Sequence, residues 1–119
     1  MNTQYEMTPA EEKAFDISCA LEAYMNAVES FAECKSRGDR GRLVSNGLDA
    51  AFLLAKQAGS KTASKIAHRI RIFEDVMETA RMDLEYAAER IMRARKELAE
   101  LGLTLPESSL DKEAAAIIK

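Results

Sequence analysis

Residues 63–101 carry an unbroken apolar repeat that constrains the fold more than any other feature of the chain. Apolar side chains recur there in alternating steps of three and four residues, at Ala63, Ile66, Ile70, Phe73, Met77, Ala80, Leu84, Ala87, Ile91, Ala94, Leu98 and Leu101. This spacing aligns them along one stripe of an α-helix and is typical of a coiled-coil seam. No proline or glycine interrupts the run, and Gly102 follows it. The repeat therefore predicts one long helix, predicted helix 3, over about residues 61–101.

A second helix start lies near the N-terminus. Thr8 can cap a helix, Pro9 suits its first turn, and Glu11 completes a capping box. The apolar positions that follow are Ala14, Ile17, Leu21, Tyr24, Val28 and Phe31, and the small residues Ala20, Ala27 and Cys34 recur beside them. The glycines of the stretch SRGDRG come next. We therefore expect predicted helix 1 to span about residues 9–35.

The segment between these two helices is rich in turn-forming residues. Residues 36–47, SRGDRGRLVSNG, predict a loop. Residues 48–58 have a broad apolar face and predict helix 2, which Gly59 ends, while Ser60 caps the next helix. Predicted helix 2 is expected to cover Ile72 and Val76. The C-terminal segment 103–119 predicts a possible short last helix capped by Ser109.

Together these elements predict an all-α fold. We expect an antiparallel helical bundle or coiled coil of three main helices, with one very long third helix and a possible short C-terminal helix. The length of 119 residues favours a single helical domain over residues 1–119. Predicted helix 3, at about 60 Å, is longer than predicted helix 1, at about 40 Å. The part of predicted helix 3 that predicted helix 1 cannot cover favours a homodimer, in which a second subunit would cover it.

The composition argues against several classes of function. No apolar run approaches the roughly 20 residues of a membrane helix, and the first residues lack the features of a secretion signal, so a cytoplasmic protein is expected. Cys19 and Cys34 are far apart and His68 is the single histidine, so no metal site is predicted. The sequence contains neither a glycine-rich phosphate loop nor a nucleophile with a matching base. We therefore predict no catalytic residue, no cofactor and no enzymatic activity.

Positive charge is concentrated in the middle of the chain. Residues 35–73 hold nine basic and two acidic residues. Within this block the order of Ala55, Ala58, Gly59, Ser60, Thr62, Ser64, Lys65 and Ile66 resembles the helix-turn-helix of bacterial repressors, which implies nucleic-acid binding. The residues that would contact phosphates are Lys56, Lys61, Lys65, Arg69 and Arg71. The alternative is an ordinary turn between antiparallel helices, with these cations solvated or paired with the acids of predicted helix 1.

Some large apolar side chains lie outside the predicted seams. Met82 and Tyr86 are one helical turn apart and point away from Leu84, with Met92 nearby, and Phe15 lies outside the seam of predicted helix 1. Methionine and aromatic residues are enriched in protein interfaces, so these four are candidate partner-binding residues. Alternatively, another helix of the chain or of a dimer mate covers them.

Two functions follow from these surfaces. The first is a non-enzymatic adaptor, chaperone-like factor or inhibitor that binds a larger protein partner. The second is a nucleic-acid-binding regulator that uses residues 54–70.

Overall fold

A computed structural model describes residues 6–118, in which α-helices are the regular secondary structure and no strand is present. Helix α1 spans Pro9–Gln57, α2 spans Thr62–Glu100 and α3 spans Ser109–Ile118. The predicted all-α fold class is thus confirmed. The chain forms two compact units: unit 1 comprises Met1–Phe31 with Tyr86–Lys119, and unit 2 comprises Ala32–Glu85. Among the described helices, none is both long enough and apolar enough to cross a membrane.

The helix ends lie where capping chemistry predicts them. The Glu11 amide donates to the Thr8 hydroxyl at 3.2 Å, as expected for an N-cap. Gly59 and Gly102 adopt positive φ angles of 69° and 92°, and each ends a helix. The residue after each glycine donates its amide back across the last turn, Ser60 to the Ala55 carbonyl and Leu103 to the Leu98 carbonyl. Both glycines therefore occupy the left-handed position of a C-terminal helix cap.

The predicted loop at residues 36–47 is wrong, because α1 continues through it to Gln57. The predicted helices 1 and 2 are parts of this single helix. Its inner positions keep the alternating steps of three and four, and all are buried or half-buried: Ile17, Ala20, Tyr24, Ala27, Phe31, Cys34, Gly38, Gly41, Ser45, Leu48, Phe52 and Ala55. The predicted seam residues Ala14 and Leu21 are exposed instead. Gly38 and Gly41 mark seam positions of small volume, not a turn.

Unit 2 shows why glycine is used in the seam. A Cβ atom at Gly41 would lie 2.6 Å from Cε of Met77, so the Met77 side chain fills the space above the glycine. Arg37 pairs with Asp83 at 3.8 Å. Because the α2 partner number falls from 83 to 77 as the α1 number rises from 37 to 41, the two helices are antiparallel here. Small residues on α1 allow this close approach.

We expect leucine to have opposite effects at two glycines of α1. A Cβ atom at Gly47 would meet nothing within 4 Å, so Gly47→Leu should stabilise the helix by about 0.5–1 kcal/mol. Gly41→Leu must displace Met77 and should cost about 1–3 kcal/mol. Urea unfolding followed by circular dichroism measures both changes. Equal stability of the two variants would contradict the close packing at Gly41.

Unit 1 contains most of the fully buried side chains. In its seam, large residues of one helix align with small residues of the other when the four inner positions of α1 from Ala20 to Phe31 are paired in antiparallel order with the four of α2 from Ala87 to Leu98. Phe31 aligns with Ala87 and Ala27 with Ile91, and all four are at most 2% exposed. Helix α3 adds Ala114, which is fully buried. The possible C-terminal helix is thus confirmed, with one correction: Ser108, not Ser109, caps it by accepting the amide of Asp111.

Two further expectations depended on the separate helix 2 and its loop. Ile72 and Val76 were expected to be covered, but they are 52% and 53% exposed because no third helix of unit 2 exists to cover them. The homodimer was predicted from a long helix overhanging a short one. However, α1 has 49 residues and α2 has 39, so that premise is not met. The homodimer stays a prediction.

Candidate functional site

A buried polar network in unit 1 fixes α3 against the two long helices. Asp111, the third residue of α3, is 1% exposed. Its carboxylate accepts the Tyr24 hydroxyl at 2.8 Å, the Arg95 guanidinium at 3.0 Å and the Ser108 amide at 2.9 Å. Arg95 also donates to the Leu105 carbonyl at 2.7 Å. One acidic side chain therefore joins α1, α2 and the segment that leads into α3.

The ionisation states in this network follow from its contacts. Burial alone would raise the pKa of Asp111, but hydrogen bonds from Ser108 and Tyr24 and the charge of Arg95 outweigh it, and the pKa is lowered. The pKa of Tyr24 is raised, first by burial and then by the Asp111 carboxylate beside it. Asp111 thus remains a charged acceptor and Tyr24 a protonated donor. No buried side-chain polar atom in the described residues lacks a hydrogen-bond partner. We interpret this network as a structural anchor for α3.

Unit 2 carries an open groove beside its two-helix seam. The groove has a volume of about 470 Å³ and is lined by Cys34, Gly38, Arg42 and Ser45 of α1 and by Phe73, Glu74, Met77, Glu78, Ala80, Arg81 and Leu84 of α2. Its apolar residues come from the seam, and its charged residues form the walls. It spans about 17 Å along each helix at the usual rise per residue.

The groove corresponds in heptad position to the place where α3 docks in unit 1. Arg81 precedes Arg95 by fourteen residues, and Gly38 follows Tyr24 by the same interval. A helix in a coiled coil returns to the same orientation toward its seam every seven residues. The Arg95 and Tyr24 positions of unit 1 are therefore held by Arg81 and Gly38 in unit 2. In unit 1 this side of the seam is covered by α3, whereas in unit 2 no described segment covers it.

The predicted partner residues do not form one cluster. Phe15, Met82 and Tyr86 are more than half exposed, and Met92 is half-buried. The Tyr86 ring lies 5.9 Å from the Arg90 guanidinium. Met82 belongs to unit 2 and the other three to unit 1.

Phe15 and Tyr86 are also separated within unit 1. Phe15 lies near Lys13, whose ammonium is beside Gly102 just past the end of α2. Tyr86 lies fourteen residues before that helix end, about 21 Å along the axis. These two residues cannot contribute to a single small contact surface.

The predicted nucleic-acid contacts all lie on the surface of unit 2. Lys56, Lys61, Lys65, Arg69 and Arg71 are exposed, and none pairs with a carboxylate within residues 6–118. Residues 50–73 contain no acidic residue. The helices that flank Gly59 form the antiparallel seam of unit 2, whereas the helices of a helix-turn-helix cross at about 90–120°. The geometry implied by that resemblance is therefore wrong, although the positive surface remains.

Sequence reasoning missed Gly38 and Arg81. A short sequence repeat could have indicated that the position of Arg81 corresponds to that of Arg95. In this repeat, Ala80, Arg81 and Leu84 recur fourteen residues later as Ala94, Arg95 and Leu98. Its meaning depends on the contact between Arg95 and Asp111, which lie in different helices.

Neither a metal-binding cluster in the described residues nor a similarity to known proteins assigns a function to this site. No group of three or more His, Cys, Asp and Glu side chains within the described chain could hold a metal ion. Comparisons with protein-family models, curated proteins and solved structures find no significant match. The site itself must therefore carry any functional inference.

Proposed function

We propose that this protein is a non-enzymatic binding module that receives a helix of a larger protein partner in the unit 2 groove. The open groove of unit 2 carries this proposal. At the same heptad position in unit 1, helix α3 covers the seam and pairs with Arg95. Grooves that expose an apolar floor between two helices commonly bind an amphipathic helix. An adaptor, a chaperone-like factor and an inhibitor all share this binding step.

The dimensions of the groove support a helical ligand. Its length of about 17 Å is close to the roughly 15 Å of α3, which has ten residues. Phe73, Met77 and Leu84 are half-buried and would lose their remaining exposure beneath a ligand. Burial of such apolar surface is the main source of affinity in helix binding.

Two glycine substitutions test the groove against a matched surface. Gly38 lines the groove, Gly47 does not, and a Cβ atom at either position meets nothing within 4 Å. Gly38→Glu places a negative charge in the groove, where a bound apolar helix face would bury it, whereas Gly47→Glu makes the same change outside the groove. Tagged wild-type and variant chains are used to capture proteins from the source cells, and the eluates are compared by mass spectrometry. We expect wild type and Gly47→Glu to capture the same partner protein in similar amounts. The amount captured by Gly38→Glu should be at least about tenfold lower.

Equal capture by the two glutamate variants would contradict a role for the groove. Circular dichroism should show unchanged helical content in both, because each replaces a helical glycine by a better helix former.

A second candidate function is nucleic-acid binding by the basic surface of unit 2. Five exposed cations that form no ion pair within residues 6–118 lie in a segment that lacks acidic residues, and this concentration of positive charge favours it. Fluorescence anisotropy with labelled duplex DNA and RNA tests this function. If it operates, replacing Lys61, Lys65 and Arg69 by alanine should weaken binding, and the logarithm of the affinity should fall steeply with the logarithm of salt concentration. Undetectable binding at low salt would exclude it.

A further inference from the structure

Resting on the proposed function, we propose that the partner helix is a capped helix with an aspartate in its first turn, and that this aspartate pairs with Arg81. Helix α3 supplies the template. Its cap is Ser108, its third residue is Asp111, and Ala114 follows one turn later with no exposed surface. The ligand would therefore carry the pattern Ser-x-x-Asp-x-x-Ala.

Arg81 has the position and the charge that this pairing requires. In unit 1 the residue at the same heptad position, Arg95, donates to Asp111 at 3.0 Å. The alanine that precedes each arginine is at most 5% exposed, so α2 presents a small residue at the seam at this point in both units. A helix with the features of α3 would bring its aspartate to Arg81 in the same relation.

Arg81 is now held by contacts that a ligand can replace at small cost. Its guanidinium pairs with Glu78 and Glu85 on the same helix, and all three side chains are about half exposed. Exposed pairs of this kind contribute little to stability, since water competes for both charges. An aspartate that arrives with an apolar helix face would exclude that water and form the stronger contact.

Gly38 sets the difference between the two units. Tyr24 donates its hydroxyl to Asp111 in unit 1, whereas Gly38 offers no side chain at the corresponding place. A ligand aspartate in unit 2 thus lacks one donor, and the space over Gly38 remains open. Gly38→Tyr restores the missing donor without a clash at its Cβ atom. This substitution turns the comparison of the two units into a gain-of-binding test.

The test uses the full-length protein and a labelled synthetic peptide with the sequence of residues 105–119. The chain's own tethered α3 excludes this peptide from unit 1 through its high effective concentration. Fluorescence anisotropy is measured for the peptide and for its Asp111→Asn form, each with wild-type, Arg81→Gln, Gly38→Tyr and Gly47→Tyr chains. We expect the asparagine peptide to bind wild type about tenfold more weakly and to show no such difference with Arg81→Gln. Gly38→Tyr should tighten binding of the aspartate peptide about tenfold, and Gly47→Tyr should not change it.

Three outcomes would overturn the inference: no binding of the peptide, an aspartate effect that persists in Arg81→Gln, or equal affinity of the two tyrosine variants. A dimer of the wild-type chain that requires both Arg81 and Asp111, seen by light scattering without peptide, would assign the groove to a second copy and would also overturn it. A partner lost by Gly38→Glu but retained by Arg81→Gln would preserve the proposed function and reject only the aspartate pairing.

Discussion

Replacing Arg95 by alanine is expected to lower the free energy of unfolding by about 3–5 kcal/mol. The change leaves the carboxylate of Asp111 buried without its counter-charge and removes the donor to the Leu105 carbonyl. Burying an unpaired charge is costly because the protein interior solvates it poorly. Urea unfolding followed at 222 nm measures the loss. Arg42→Ala is the matched control, since its pair with Asp39 is exposed and should contribute at most about 1 kcal/mol.

The double variant Arg95→Ala, Asp111→Ala separates the charge effect from lost packing. Because the second substitution removes the buried charge, the double variant should be more stable than the sum of the two single losses predicts. Additive losses, or a loss from Arg95→Ala no larger than that from Arg42→Ala, would contradict the anchoring role of this pair.

Replacing Phe31 by alanine is expected to cost about 3–5 kcal/mol. Phe31 is the largest fully buried side chain in the described residues, and its removal leaves a cavity in the seam of unit 1. The antiparallel pairing of unit 1 aligns Phe31 with Ala87, so Ala87→Phe alone should overpack the same layer. The exchange variant Phe31→Ala, Ala87→Phe keeps the total volume and should recover much of the loss. Urea unfolding measures the free energy of unfolding of all three variants. A loss in the exchange variant equal to the sum of the two single losses would contradict this register.

The long seam of α2 was predictable from the sequence because its apolar residues are large and regularly spaced. All twelve predicted positions are buried or half-buried. The capping roles of Thr8, Gly59 and Gly102 were predictable for a similar reason, since each depends on local backbone chemistry.

The path of residues 36–47 was not predictable from residue type alone. Glycine usually favours turns, but Gly38 and Gly41 continue the three-and-four spacing from Phe31 and Cys34. The decisive fact is that Met77 on the other helix fills the space at Gly41. Position in the repeat therefore outweighs the intrinsic preference of glycine at this point.

The candidate site was less accessible to sequence reasoning than the fold. The contact between Tyr24 and Asp111 joins residues 87 positions apart, and no local pattern encodes it. The groove itself is a space left by small residues and uncovered by any described helix. Exposed apolar residues such as Met82 were visible in the sequence, but exposure alone does not identify a binding surface.

The most direct test of the central claim is photo-crosslinking from inside the groove. The amino acid p-benzoyl-phenylalanine is placed at position 38, at the matched position 47, and at positions 65 and 86 on the basic and aromatic surfaces. After irradiation in the source cells, adducts are resolved by gel electrophoresis and identified by mass spectrometry. A partner bound in the groove predicts a discrete protein adduct from position 38 and none from position 47. Adducts from position 65 or 86, with none from position 38, would contradict the claim that the unit 2 groove is the binding site.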